Sequence, residues 1–279
     1  MKNVLITGAA GTLGSELVDL SLKRGYSPIG LCHSEERSQK LKIRFPDLPL
    51  YCSDIVDQDQ LENVIEKNDV DYIIHTAAMK HVGICENNPD RAIDVNIIGS
   101  KNLIRACKKF NVKNMIAVST DKAINPSCVY GCTKLLMESI MLEYGYSNIQ
   151  GVNFFFSSGS VLYLWDKAIS EGKPILVNKN NTTRYFIETS CMASTILDNL
   201  DTKGKYIRLK QCYKVKLHDL ALAFSEYRKY NNTDEYVSLS AEKIDEEHPD
   251  NVEIIDADVA LLKKIFEQHY NSRGKNVCI

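Results

Sequence analysis

Apolar residues run along the first half of the chain in short β-rich bursts separated by helical spacings, the pattern of a parallel sheet wound with crossover helices. Asn3–Thr7 reads as a strand, and Leu13, Leu17 and Leu20 follow at helical spacing with Gly25 as a stop. The same alternation predicts a strand at Ser27–Cys32, a helix at Glu35–Arg44, a strand at Leu50–Cys52, a helix at Gln58–Lys67 and a fourth strand at Asp71–His75. Pro89 suits the first position of a long helix to about Phe110. Asn114–Ser119 predicts a fifth strand and Tyr130–Glu143 a further helix. Beyond about residue 150 the pattern is less regular. It predicts a sixth strand at Val152–Phe155, a helix at Val161–Glu171 and short pieces around Ile175, Tyr206 and Tyr236. The expected fold class is α/β.

Composition narrows the function classes. The 279 residues carry 34 Lys plus Arg against 36 Asp plus Glu, a net charge of −2, which excludes a polybasic nucleic-acid binder. No stretch approaches the roughly 18 uninterrupted apolar residues of a membrane span, and the apolar start, Met1–Ile6, is too short for a secretory signal core. Nine scattered cysteines form no C-x-x-C pair, and the six histidines form no H-E-x-x-H, so neither a disulfide framework nor a metal site is expected. Cys278 is next to last rather than fourth from the end, so no prenyl anchor is implied. A reducing compartment, the cytoplasm, is the simplest setting.

Thr7-Gly8-Ala9-Ala10-Gly11-Thr12-Leu13-Gly14 directly follows the first strand and opens the first helix. Gly8 suits a tight turn, Gly11 a close backbone approach to a pyrophosphate, and Gly14 close helix-to-strand packing, while the N–H groups of the first helical turn, at Thr12 and Leu13, favour an anion. In a strand–turn–helix setting this is a dinucleotide-binding signature, and it makes the expected architecture a doubly wound parallel Rossmann sheet with a small C-terminal substrate-binding region. At the end of the second strand an NAD enzyme offers a carboxylate to the ribose 2′-hydroxyl. Here the run is Cys32-His33-Ser34-Glu35-Glu36-Arg37, where His33, Ser34 and Arg37 suit a 2′-phosphate, so NADP is favoured. The competing use of Arg37 and the glutamates is a solvated helix start. Asp54 and Ile55, just past the third strand, are placed to flank adenine, although an acid there also serves as a helix cap. Residues 1–150 are thus expected to form the NADP-binding domain, with 151–279 holding the last Rossmann strands interleaved with a substrate-binding region.

Tyr130 and Lys134 form Y-x-x-x-K, which on a helix puts both side chains on one face. The spacing recurs at Tyr163/Lys167 and Tyr206/Lys210, so it carries weight only through position. The first pair lies one helix after the strand end Ser119-Thr120-Asp121-Lys122, and ligands bind at strand carboxyl ends in open α/β sheets. With Thr7 to Gly14, the run His75-Thr76-Ala77-Ala78-Met79-Lys80-His81-Val82 followed by Glu86 and Pro89, and Ser119 to Lys122 continuing through Pro126, Tyr130, Gly131 and Lys134, the chain resembles the extended short-chain dehydrogenase/reductases. Within them it resembles the inverting UDP-N-acetylglucosamine 4,6-dehydratases over about residues 1–187. The Asp-Lys pair is the specific element. A weaker match is Thr183-Arg184-Tyr185-Phe186, preceded by Gly159-Ser160-Val161. Two departures lie in the nucleotide-sugar region: Asn153-Phe154-Phe155-Phe156 stands where the family has an Arg-Tyr-Gly-Asn-like run, and Ala241-Glu242-Lys243 where it has Gly-Glu-Lys.

The resemblance implies an internal redox cycle on a UDP-sugar with tightly bound NADP. Tyr130 would take the proton of the sugar 4-hydroxyl, its phenolate favoured by a Lys134 ammonium beside it. Lys122 would then be the base at carbon 5, Asp121 the acid for the departing 6-hydroxyl, and Thr120 a further catalytic-site residue. Opposed side-chain directions or burial would have to separate Asp121 from Lys122. The resemblance further implies cofactor contacts from Ala77, Ala78 and Lys80, substrate contacts from Met79, His81, Thr183 and Arg184, and at least a homodimer through helices carrying Ile93, Ile97, Ile98, Leu135 and Met137. Met79, Phe154 to Phe156 and Trp165 also read as packing. The alternatives are an NADP-dependent nucleotide-sugar epimerase or 4-keto reductase, which has no use for Asp121 and Lys122 as an acid/base pair, and a non-catalytic NADP-sensing regulator.

Overall fold

The structure is a computed structural model that describes residues 1–178, 182–236 and 252–273. The chain divides into two compact units, Met1–Gly151 with Thr189–Leu209, and Val152–Glu188 with Lys210–Ile279. Along the first unit run β1 (Asn3–Thr7), α1 (Thr12–Lys23), β2 (Ser27–Cys32), α2 (Glu35–Arg44), β3 (Leu50–Cys52), α3 (Gln58–Lys67), β4 (Tyr72–His75) and α4 (Val82–Asn87). α5 (Pro89–Ile93), a π-helical turn (Asp94–Ile98) and α6 (Gly99–Lys109) then form one continuous rod, followed by β5 (Asn114–Thr120), a 3₁₀ turn (Asp121–Ala123), α7 (Val129–Glu143) and β6 (Ser147–Gly151). The second unit opens with β7 (Asn153–Phe154), α8 (Val161–Ser170), β8 (Ile175–Asn178) and β9 (Thr183–Ile187). The chain returns to the first unit for α9 (Thr189–Asp198) and β10 (Tyr206–Ile207). It ends in the second unit with β11 (Gln211–Lys216), α10 (Leu217–Arg228), β12 (Thr233–Tyr236), β13 (Glu253–Asp256) and α11 (Val259–Arg273).

Seven strands make the central sheet in the order β10-β6-β5-β4-β1-β2-β3, every neighbouring pair parallel. The reversal of order at β1 and β4 is the switch point of a Rossmann sheet. On one face Leu5, Ile73 and Met115 of the strands meet Leu61 and Ile65 of α3, Leu103 of α6, and Met137 and Met141 of α7. α1 packs with α9, their Leu17, Val18, Met192 and Ile196 buried, and Arg24 bonds Asp198 at 2.7 Å and Ser194 at 2.6 Å. In the second unit β13-β11-β9-β7 form one sheet and β12-β8 another, around Phe155, Phe156, Trp165, Phe224 and Phe266. Phe155, Phe156 and Trp165 are therefore packing residues there. Among the described residues no helix is long and apolar enough to cross a membrane.

Three sequence expectations shift. The sixth central strand is Ser147–Gly151, not Val152–Phe155, whose Asn153–Phe154 belongs to the second unit. Ser147 and Asn148 hid it: both are polar yet fully buried, Ser147 bonding Thr202 O at 2.8 Å and Asn148 bonding Glu138 O at 2.9 Å. Met137 is fully buried core rather than an interface residue, and the exposed apolar position beside it is Leu136. Helices α9, α10 and α11 were not expected, because their Thr, Ser and Cys content or flanking irregularity blurs the 3.6-residue period.

A buried hydrogen-bonded chain ties the phosphate-loop end of β1 to the helices. Ser100 Oγ donates to Asn96 O at 2.7 Å, which spends its one proton, so the 3.0 Å contact with His75 Nε2 runs from the ring to Ser100. His75 Nδ1 is then the acceptor for Thr7 Oγ1 at 2.8 Å, and Thr7 Oγ1 accepts from Ala77 N at 3.3 Å. The geometry requires a neutral imidazole with its proton on Nε2. Burial, helped by the Lys134 ammonium, accordingly lowers the His75 pKa to about 3. The unfolded chain binds a proton on this residue below about pH 6.5 and the folded protein does not until about pH 3, so acidification across that window destabilises the fold. Between pH 6 and 4, His75 should account for a loss of up to about 1.4 kcal/mol per pH unit. Urea unfolding of His75→Gln, which keeps a donor and an acceptor, should show a shallower slope over that range than the parent, and equal slopes would refute the assignment.

Candidate active site

The phosphate loop is shaped by crowding. Gly8 has φ +69°, and a Cβ on Gly14 would sit 2.2 Å from Gly8 O and 2.7 Å from Ala9 Cα, so only glycine lets α1 begin this close to the loop. Gly11 is the N-cap of α1 without a side-chain bond to the first turn, and its own N–H closes the loop on Gly8 O at 2.8 Å. Thr12 begins the helix, while the Leu13 side chain is buried, leaving backbone as what Leu13 has to offer an anion.

At the end of β2, Ser34 caps α2 by accepting from Arg37 N at 3.4 Å, and His33 and Arg37 are exposed. Arg37 lies within electrostatic reach of the β4 end: burial and then the Arg37 guanidinium lower the Lys80 pKa, although Lys80 is exposed as a residue. Burial, Lys80 and Arg37 lower that of His81. Three cationic or protonatable groups from two strand ends thus repel one another, which is the electrostatics of an anion site. Asp54 serves differently from a helix cap. The cap of α3 is Asp57, which accepts from Gln60 N at 3.0 Å. Asp54 accepts from Val56 N at 3.0 Å and pairs with Arg91, and although burial works upward, these contacts with the nearby His33 lower its pKa. Ile55 is buried in the core against Gly99, and Asn102 holds its carbonyl at 3.2 Å, so its backbone is what remains for a ligand.

Beyond β4, Ala77, Ala78 and Met79 are half-buried. Asn96, in the π turn, grips the Met79 backbone from both sides: its Oδ1 accepts from Met79 N at 2.8 Å and its Nδ2 donates to Met79 O at 3.0 Å. The same Nδ2 donates to Thr133 Oγ1 at 3.0 Å, and Thr133 donates to Tyr130 O at 2.9 Å. The π turn is what brings this amide inward, a use in keeping with such turns near functional sites. Sequence pattern offered no sign of it beyond one asparagine inside an apolar stretch.

The end of β5 meets the start of α7. Cys128 caps α7 through its sulfur, Glu86 accepts from Val129 N at 2.7 Å, and a Cβ on Gly131 would lie 2.3 Å from Lys122 O, so a glycine is required where α7 passes the Asp121–Lys122 turn. Thr120 Oγ1 donates to Asp121 Oδ1 at 2.7 Å, and Lys122 Nζ donates to the same oxygen at 3.2 Å. Asp121 and Lys122 are therefore paired rather than separated, because the carboxylate side chain is 2% exposed and takes the nearest cation. Burial pushes the Tyr130 phenol well above the ordinary tyrosine range; the neighbouring Thr120 hydroxyl opposes this, while Asp121, Cys85 and Cys128 add to it. The expected Lys134 effect on Tyr130 is not among these influences. The Lys134 ammonium donates instead to Val118 O at 2.6 Å and lies 3.1 Å from Met137 Sδ, since a buried ammonium takes the nearest acceptors. Burial brings its pKa down to about 8, with Glu138 working upward.

In the second unit Thr183 and Arg184 lie half-buried on β9, where Arg184 Nη1 donates to Thr183 O at 2.9 Å. Ser160, after Gly159, caps α8 by accepting from Tyr163 N at 3.4 Å. Ala241, Glu242 and Lys243 lie outside the described residues.

Comparison with known proteins places these features in a family. Residues 4–248 match the polysaccharide biosynthesis protein family. The chain is 33% identical over 245 residues, 80% of its length and 71% of the relative's, to a UDP-N-acetylglucosamine 4,6-dehydratase (inverting) of Campylobacter jejuni. The crystal structure of Pen from Bacillus thuringiensis superposes with a TM-score of 0.80 at 26% identity, covering 88% of this chain and 80% of that one. A dTDP-glucose 4,6-dehydratase of Bacillus anthracis in complex with NAD shares the fold, with a TM-score of 0.75 at 18% identity over 99% and 98% of the two chains. The chain belongs to the polysaccharide biosynthesis protein family, among the nucleotide-sugar dehydratases and epimerases of extended short-chain dehydrogenase/reductase type.

Proposed function

We propose that the protein is an NADP-dependent nucleotide-sugar 4,6-dehydratase that converts UDP-N-acetylglucosamine, with inversion at carbon 5, to UDP-2-acetamido-2,6-dideoxy-L-arabino-hex-4-ulose. The observation that carries this reading is the buried Thr120–Asp121–Lys122 contact at the end of β5, within electrostatic reach of the Tyr130 phenol. An epimerase or 4-keto reductase has no use for that acid and that base.

The phosphate-loop backbone, with Gly8, Gly11, Thr12, Leu13 and Gly14, suits the pyrophosphate, and the Arg37, Lys80 and His81 group, with His33 and Ser34, suits a 2′-phosphate better than a neutral ribose. NADP bound there would supply the acceptor for the hydride from carbon 4 and its return to carbon 6 after elimination, so that no cofactor is consumed. Tyr130, in its phenolate form, takes the proton of the sugar 4-hydroxyl as the hydrogen on carbon 4 leaves as hydride, which makes carbon 4 a ketone and the proton on carbon 5 acidic. One proton shift along the 3.2 Å contact turns the Lys122–Asp121 ion pair into a neutral amine and a neutral carboxylic acid. That is the state elimination requires, and a site poor in water favours it because neutral groups lose less hydration than charged ones. Lys122 then removes the carbon 5 proton, and Asp121 protonates the departing 6-hydroxyl. The flexible lysine stem suits return of a proton to the opposite face of carbon 5. Ala77, Ala78 and Met79, held by Thr7 and Asn96, border the cofactor and sugar, and Thr183 and Arg184 are assigned to the substrate.

We also assign a homodimer. Ile84 of α4, Ile93 of α5 and Leu135 and Leu136 of α7 are 52%, 42%, 39% and 49% exposed on helices that pack together within the first unit, an apolar surface suited to a second copy.

Incubation with UDP-N-acetylglucosamine in deuterated water should give the 4-keto-6-deoxy product inverted at carbon 5 and deuterated there; proton couplings showing retention would overturn the stereochemical assignment. Lys122→Ala should lower turnover by about a hundredfold or more while reduced cofactor accumulates in the absorbance, whereas Tyr130→Phe should show neither product nor reduced cofactor. A Lys122→Ala protein that turns over normally removes the basis of the reading. For the cofactor, calorimetry should find NADP bound more tightly than NAD, with the margin shrinking about tenfold or more in Arg37→Ala as one charged contact to phosphate is lost. Equal affinities in the parent protein would refute the 2′-phosphate site.

A further inference from the structure

One turn beyond Lys134 on α7 lies Glu138, a carboxylate with no accessible surface. Tyr130, Lys134 and Glu138 sit at i, i+4 and i+8, so they line one face of the helix. Both Glu138 oxygens accept from Gln150 Nε2 of β6, at 3.1 and 3.2 Å, and Oε2 also meets Tyr206 Oη of β10 at 3.1 Å. Asn148 Nδ2 donates to the Glu138 carbonyl at 2.9 Å and fixes the turn. An amide nitrogen has only protons to give, so both Glu138 oxygens act as acceptors, the arrangement that suits a carboxylate.

These donors are neutral and cannot balance a negative charge. The groups facing this interior are His75 from β4, which is neutral by its hydrogen bonds, the Val118 carbonyl from β5, Gln150 from β6, Tyr206 from β10, and Lys134 and Met137 on α7 itself. Lys134 is the one cation among them. Conversely, the direct partners of the Lys134 ammonium, a carbonyl and a thioether, carry no charge. We infer that Glu138 is the buried counter-ion of Lys134, a positioning residue that keeps the lysine beside the candidate site charged at neutral pH. The pair acts through space across one helical turn, where side chains four residues apart are neighbours. Removing the carboxylate leaves an ammonium under full desolvation, so the lysine sheds its proton at lower pH. The Tyr206 phenol, pushed up to about 12 by burial and then by Glu138, stays protonated and remains a donor to the carboxylate.

The catalytic role that the family resemblance implies for Lys134 rests on the dehydratase reading, but its charge does not, and the experiment separates the two. In protein labelled at lysine side-chain nitrogens, the Lys134 signal, identified by its loss in Lys134→Met, should titrate near pH 8. In Glu138→Gln the midpoint should fall by one pH unit or more, a tenfold change in the charged fraction above it, and Glu138→Asp should restore it in part. With substrate, the alkaline limb of the pH–rate profile should move down in parallel in Glu138→Gln, a shift that a merely structural defect would not produce. A folded Glu138→Gln protein whose Lys134 midpoint is unchanged overturns the inference, whatever its activity. Carboxyl-carbon resonances of the parent protein give a second test that needs no variant to fold: Glu138 observed protonated between pH 6 and 8 also overturns it. Loss of the limb shift alone, with the nitrogen midpoint moved, would count against the dehydratase role of Lys134 and leave the counter-ion in place.

Discussion

Polar groups buried at the carboxyl end of the central sheet must find their partners inside the protein, and Asn96 is where those demands meet. Its amide holds the Met79 backbone at both N–H and C=O and reaches Thr133 on α7, while its backbone carbonyl receives Ser100 and, through it, His75 and Thr7. Two strand ends and two helices are thereby set relative to one another by short, directional bonds in a medium where leaving one unmade costs about 1–3 kcal/mol. The phosphate loop at the end of β1 and the Tyr130 helix are consequently parts of one hydrogen-bonded frame, even though about 120 residues separate them in sequence.

What could be read in the chain divides along physical lines. Strands such as Asn3–Thr7 and Ser27–Cys32 and helices such as Gln58–Lys67 were legible because apolar burial imposes a period on sequence, and the structure reproduces those bounds. β6 was not, because Ser147 and Asn148 are buried through hydrogen bonds that a hydropathy pattern cannot register. The glycines of the phosphate loop were legible because a missing side chain is visible in sequence and the crowding at Gly14 has one remedy. Where the side chains of Asp121, Lys122 and Lys134 point was not, since direction depends on which acceptor burial leaves nearest. That choice set Lys122 on Asp121 and Lys134 on Val118 O. Asn96 and Glu138 escaped notice for a related reason: their hydrogen-bond partners are distant in sequence, and the pattern of the chain carries no trace of those bonds.

The electrostatics of the site follow a single theme, charge taken out of water and matched only partly. Asp121 is satisfied by Thr120 and Lys122, yet its field still raises the Tyr130 phenol. At the start of α2 and past the end of β4, Arg37, Lys80 and His81 bring like charges within reach of one another, which favours a bound anion. Like charges gathered in this way are characteristic of places where anionic ligands bind.

The route of the chain has a consequence for how the first unit assembles during synthesis. β6 emerges with one edge unpaired, and the strand that covers it, β10, lies more than fifty residues downstream, beyond β7, α8, β8 and β9. Until Tyr206 and Ile207 are made, the growing chain carries an open parallel edge, a form open to pairing with other chains. Glu138 completes its hydrogen bonds only when Tyr206 arrives, so the carboxylate inside α7 keeps water about it until the last central strand docks. Closing the edge and drying the interior next to Lys134 are thus one late event of folding.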